Sequence, residues 1–131
     1  MSVILTTPEP MQPAPYHHVA IATGTRQVHV AGQIGRDSSN PGDLAGQVAQ
    51  ALRNTAHGLA GAGAGFADVV RLTFYVTRWN PEQMNDFMAG IDAVAPDVGL
   101  PQPMPPASLI GVECLFEPDV LVEVEATAVI D

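Results

Sequence analysis

The segment Pro105 to Ala128, PPASLIGVECLFEPDVLVEVEATA, restricts the fold more than any other stretch, because it reads as two strands. Val122, Val124 and Ala126 alternate with Glu123 and Glu125, and a two-residue period places both acids opposite the apolar side. The rest of the chain must therefore supply a layer against that apolar face.

Upstream, Asp68 to Arg78 alternates just as cleanly, with Val70, Leu72, Phe74 and Val76 on one side and Arg71, Thr73, Tyr75 and Thr77 on the other. His17 to Ala22 and Gln27 to Ile34 are shorter β-branched runs divided by Thr23-Gly24-Thr25, the pattern of a hairpin. From Asp43 to about Ala62, behind the breaker Asn40-Pro41-Gly42, Leu44, Val48, Leu52, Thr55 and Leu59 recur every three or four residues, which predicts an amphipathic helix. A second helix starts with Asn80 as N-cap, Pro81 as first helical residue and Gln83 as capping-box partner, and runs to about Val94. Five prolines between Pro96 and Pro106 predict a structured loop. Pro8, Pro10, Pro13 and Pro15 make residues 1–15 an extended arm.

The order is β-β-α-β-α-β-β, a single α+β domain over residues 1–131 with both helices on one sheet face. At 131 residues and 47% hydrophobic content the chain has enough apolar mass for one core and no more. The other face would carry His29, Ala31, Gln33, Arg71, Thr73, Tyr75, Ala107, Leu109, Leu115, Leu121, Glu123, Glu125 and Val129. That mixture is too apolar to leave in water, and no element remains to cover it. A second copy of the chain is the expected cover, which makes a cyclic homo-oligomer with sites at its subunit boundaries the expected assembly.

Five arginines, no lysine and fourteen acidic residues give a net charge of −9, which repels phosphate backbones, so nucleic acid is not an expected partner. No stretch is long and apolar enough to span a membrane, and the first residues lack the basic and apolar regions of a signal peptide. A cytoplasmic protein is expected. The single cysteine, Cys114, excludes an internal disulfide, and within an apolar strand it reads as a small buried hydrophobe.

Glu123 and Glu125 stand about 6.6 to 6.8 Å apart along one strand, close enough in a partly buried cleft to raise one another's proton affinity. One would then serve as general base toward water or as acid toward a leaving amine. The alternative is a solvated strand face, or one paired with Arg71. His17 and His18 point to opposite strand faces, and His29 and His57 have no metal-ligand spacing, so no metal site is expected. Gly61 to Gly65 follows a helix and precedes no Lys-Ser/Thr, which makes it a turn and not a phosphate loop. Ser108 lacks a Gly-x-Ser-x-Gly elbow, and no cofactor is expected.

Pro15-Tyr16 after the arm, Ala31-Gly32-Gln33-Ile34, Gln50 to Asn54, Asp68-Val69-Val70, Met84-Asn85 and Leu121 to Val129 together resemble the RidA/YjgF family of reactive-intermediate deaminases. The resemblance covers nearly the whole chain. It implies a chorismate-mutase-like α+β fold and a homotrimer with clefts between subunits. In deaminating members an arginine in a Pro-Ala-Arg segment holds the carboxylate of a small enamine or imine while water attacks the C=N carbon. By resemblance Glu123 would orient or activate that water, Tyr16 would wall the cleft, and Gly32 and Asn85 match further pocket positions. The arginine position falls on Ala107, the following cysteine position on Leu109, and the serine before the family's glycine on Ala31.

An arginine–carboxylate pair contributes on the order of 1.5 to 3 kcal/mol, so its loss points away from a carboxylated substrate. The expectation is C=N hydrolysis of a small neutral or apolar metabolite. A related version has Arg71 or Arg78 reaching the cleft in place of the missing arginine. The rival is a non-catalytic binding or regulatory trimer using the same cleft. A ribonuclease reading, attached to parts of the family, runs against the net charge of −9.

Overall fold

In the computed structural model, which describes residues 2–131, the chain runs β1 (Ser2–Thr6), β2 (Val19–Thr23), β3 (Arg26–Ile34), α1 (Leu44–Gly61), β4 (Val69–Thr77), α2 (Met84–Val98), β5 (Ala107–Val112) and β6 (Val122–Ile130). Single 3-10 turns at Phe66–Asp68 and Pro81–Gln83 lead into β4 and α2. β6 lies inside a four-stranded sheet of order β3-β6-β4-β5, antiparallel to both neighbours, and β5 runs parallel to β4 at the edge. The result is an α+β fold with both helices packed on a mixed sheet.

The alternation of β6 has its expected consequence: Val122, Val124, Ala126, Ala128 and Ile130 are buried, while Glu123, Glu125 and Thr127 face the other way. The register sets Leu72 beside Ala126, Phe74 beside Val124 and Val76 beside Val122, so β4 and β6 share one apolar surface. Val48, Leu52 and Leu59 of α1, and Phe87, Ile91 and Val94 of α2, cover it. Each such fully buried side chain contributes roughly 1.5–3 kcal/mol. The helices touch closely at Gly90, where a Cβ would lie 2.5 Å from the Ala45 carbonyl oxygen.

Both predicted helix starts are present. Asp43 accepts the Gly46 N–H, and Asn80 and Gln83 form the capping box. α2 is longer than expected, carrying Pro96 within its last turn and ending at Gly99, whose φ of 72° is left-handed. A proline there forfeits one hydrogen bond to Asp92 but no core packing, since the Pro96 ring is exposed.

Three other expectations change. The beginning of the expected arm is the strand β1, which precedes the first proline and pairs with β2, Ile4 opposite Ile21. β2 therefore does not form a hairpin with β3, because the intervening Thr25 N–H donates to Ile130 of β6. Cys114 lies beyond the end of β5 and is exposed, as the run of apolar residues leaves the sheet once Val112 has accepted the Arg78 N–H. Leu115 likewise belongs to the loop between β5 and β6.

Candidate functional site

Tyr16 is fixed before any helix is reached. The Met104 N–H donates to the Pro15 carbonyl at 2.8 Å and the His17 N–H to the Met104 carbonyl at 2.7 Å, which lays the Tyr16 segment parallel to the chain entering β5. The phenol ring then closes one wall of an apolar cavity of about 130 Å³, shared with Phe74, Met84, Phe87, Met88, Met104, Ala107 and Leu109. Ala107 stands beside buried Leu72 and Leu109 beside buried Phe74 in the parallel register, so both face the helices. This corrects the expectation that they share the open face with Glu123. Asn85 is exposed on the first turn of α2 and does not line the cavity.

No charged side chain lines this cavity. Arg71 lies on the open face and donates to Ser108 Oγ, and Arg78, with a left-handed φ of 47°, lines a separate groove with Cys114 and Phe116. Neither arginine enters the space beside Ala107. A carboxylate placed there would lose its hydration with nothing to replace it.

Glu123 belongs to a second, polar cluster on the open face. It is half-buried on β6, opposite Tyr75 of β4 and Ile34 of β3. The β3 ladder slips between Val30 and Gln33, and Gly32 sits in that bulge under the Glu123 carboxylate. A Cβ at Gly32 would approach Glu123 Oε2 to 2.3 Å, so any side chain there displaces the acid. Gln33 consequently stands opposite Val124, out of the alternation expected for it.

Glu125 is not paired with Arg71. It accepts the Tyr75 hydroxyl at 2.7 Å, and that bond, followed by burial and the charges of Glu125 and Glu123, pushes the Tyr75 phenol above its ordinary pKa. His29, Ala31, Arg71, Thr73, Glu125 and Thr127 line a groove of about 350 Å³ beside this pair. Among the described residues no three His, Cys, Asp or Glu side chains converge in a way that would hold a metal ion.

The loop leading into Glu123 is anchored by residues that periodicity did not single out. Arg36 holds Glu117 at 2.7 Å and Asp119 at 2.8 Å, and its guanidinium draws the Asp119 carboxyl below the usual range. Fully buried Gln47 donates to the carbonyls of Asn40 and Asp119, both at 3.2 Å, and accepts the Leu121 N–H at 3.0 Å. An uncharged polar residue on the apolar face of a predicted helix was the available signal for Gln47.

Apart from Asn85, the expected site residues thus fall into two groups on opposite faces of the sheet. Glu123 on β6 is two strand spacings, about 10 Å, from β5, and Gly32 on β3 is three, about 14 Å. One chain cannot bring them to the same ligand.

Residues 6–130 match the family described as Endoribonuclease L-PSP. A Yersinia pestis protein of unknown function from the Rid family is 33% identical, superimposes with a TM-score of 0.85, and the match covers 99% of this chain and all of that one. A Mycobacterium tuberculosis member of the YjgF/YER057c/UK114 family is 27% identical over 98% of this chain and all of its own, with a TM-score of 0.64. Escherichia coli TdcF, whose crystal structure has bound serine, is 23% identical, with 92% of this chain and 91% of that one covered and a TM-score of 0.67, a likeness of fold. None of the curated proteins matches the chain.

Proposed function

Because the chain belongs to the Rid/YjgF family, the Endoribonuclease L-PSP group, we propose that it hydrolyses a C=N bond in a small, uncharged metabolite within a cleft shared between copies. The single observation that carries this reading is the division of the site. Tyr16, Ala107 and Leu109 form an apolar half with no charged lining, whereas Gly32 and Glu123 form a polar half on the opposite face. A homotrimer in which one copy's open face meets the next copy's β5 edge would join the two.

The chemistry follows from what each half can offer. The apolar half binds the carbon skeleton by exclusion of water, and the open bulge at Gly32 leaves room for Glu123 to hold a water against it. As that water's oxygen bonds to the C=N carbon, Glu123 takes its proton and returns it to the nitrogen; Glu123 then takes the carbinolamine hydroxyl proton and passes it to the nitrogen as the C–N bond breaks, leaving a carbonyl and the free amine. Imine plus water becomes carbonyl plus amine, with no cofactor consumed. A substrate carboxylate, such as that of serine, would find no cation among the residues lining the apolar half. An endoribonuclease role gains no support from a chain of net charge −9.

A second reading, a binding or regulatory module using the same cleft, is favoured by Ala107, since the loss of the arginine removes the family's substrate clamp. The two separate in one experiment. Freshly generated neutral imines and 2-aminoacrylate are followed by carbonyl release, with Glu123→Ala as the control. Accelerated hydrolysis of the neutral imine, abolished by Glu123→Ala, supports the enzyme; saturable binding with no acceleration supports the module. Acceleration that Glu123→Ala leaves untouched overturns the assigned role of Glu123.

A further inference from the structure

We propose that the cavity beside Ala107 takes one aromatic ring, so that the compounds hydrolysed are uncharged imines of aryl aldehydes; this names the substrate class and rests on the hydrolytic reading above. The size of the space is the first reason. Apolar cavities of about 150 Å³ stay dry and take up benzene, and this one measures about 130 Å³. A phenyl ring fills it and leaves no room for the C=N group, which must stay at the mouth, where water has access. A methyl group would leave most of the wall without contacts, and a fused two-ring system exceeds the volume.

The walls are the second reason. At the deep end Phe74, Phe87 and Met104 are buried, and Phe74 meets Phe87 edge to face at 5.0 Å and 85°. Met104 is bonded through both its N–H and its carbonyl to the Pro15–His17 segment, so this end keeps its shape. Aromatic rings prefer steep or offset contacts, which an entering ring can repeat against Phe74, Phe87 and Tyr16. The sulfurs of Met84, Met88 and Met104 add contacts that favour an aromatic edge over an alkyl group. Met84, 45% exposed, and half-buried Met88 are unbranched and can adjust to the ring. The Ser108 hydroxyl accepts from Arg71, on the open face, so it does not compete for the ring's place.

Oximes, stable neutral analogues of imines, test the assignment on the unaltered protein. Binding of acetaldoxime and of the oximes of benzaldehyde, cyclohexanecarbaldehyde and 1-naphthaldehyde is measured by calorimetry. The fluorescence of Trp79, the one tryptophan, whose ring lies 5.9 Å from that of Phe87, gives a local readout. Benzaldehyde oxime is expected to bind at least about tenfold tighter than the methyl and naphthyl compounds, and several-fold tighter than the cyclohexyl one. The kcat/KM values of the matching N-methyl imines, followed by aldehyde release, should keep that order. Leu109→Ala should admit the naphthyl compound and Ala107→Leu should exclude the phenyl one, each with the circular dichroism of the parent. Equal affinities, a preference for any of the other three, or an order that neither substitution moves overturns the ring assignment, even where Glu123-dependent hydrolysis is observed. Ring-selective binding without hydrolysis upholds the ring site and overturns the hydrolytic reading.

Discussion

The Tyr75 hydroxyl donates to Glu125 at 2.7 Å, although the residue directly across the ladder from Tyr75 is Glu123. The diagonal reach between neighbouring strands ties up one of the two carboxylates and leaves the other, above Gly32, available to a ligand. The two acids of β6 therefore have different surroundings despite their equivalent sequence positions.

That pairing is visible in a titration. The chain has two tyrosines, and the Glu125 bond raises the Tyr75 phenol above its ordinary value near 10. A folded-state value raised above the unfolded one means stability that is present below the unfolded pKa and lost as pH rises through the folded pKa. Ultraviolet titration should show one phenol ionising late, and Glu125→Gln should bring that step down toward the ordinary range. A late step that survives Glu125→Gln would assign it to another cause.

Gln47→Leu should destabilise the fold by on the order of 1–3 kcal/mol, because it strands the half-buried Leu121 N–H and the Asp119 carbonyl, while the Asn40 carbonyl keeps only the Asp43 N–H. Urea denaturation measures this. A midpoint within error of the parent would show that water replaces the amide.

The Arg36 clamp gives the loop an acid limit. Asp119 is depressed by its Arg36 hydrogen bond, so the stability it contributes is present above the unfolded carboxylate value, about 3.9, and is lost as pH falls through the lower folded one. Amide exchange around Val120 and Leu121 should quicken across that acid window before the sheet amides respond. Asp119→Asn should show the quicker exchange at neutral pH.

Ala107→Arg restores the residue type that the family's deaminating members use there. With the cavity otherwise neutral, affinity for a carboxylated imine should rise roughly ten- to a hundredfold, the equivalent of about 1.5–3 kcal/mol. Competition binding against a neutral analogue checks it, and the neutral ligand should lose affinity as the cavity fills.

Much of this architecture is legible from residues alone. Val122 to Ala126 and Leu72 to Val76 alternate, and each buries the side it should, since apolar burial dominates where polar and apolar positions are sharply separated; at the start of β4 the ladder slips between Val69 and Arg71, and Val69 is buried in place of the expected Val70. Asp43, Asn80 and Gln83 mark helix starts through local hydrogen bonds that need no tertiary context. Ala107-Ser108-Leu109-Ile110 offers no such contrast, and its facing is set by the parallel register with Leu72 and Phe74, a long-range fact. The same holds for Arg36 and Gln47, whose partners in the loop before β6 lie more than 70 residues away. Thus the fold was readable and the splitting of the site was not, because face assignment at the β5 edge depends on which strand β5 joins and in which direction.

Subunit mixing tests the divided site most directly. Glu123→Ala keeps an intact cavity and lacks the acid; Leu109→Trp fills the cavity and keeps the acid. Each alone should be inactive on the neutral imine. If the site is built from two copies, unfolding and refolding a 1:1 mixture should restore about a quarter of the parent's turnover, since that fraction of boundaries in a randomly mixed ring pairs a good cavity with a good acid. A mixture as inactive as its components, while assembling like the parent protein, would contradict the account.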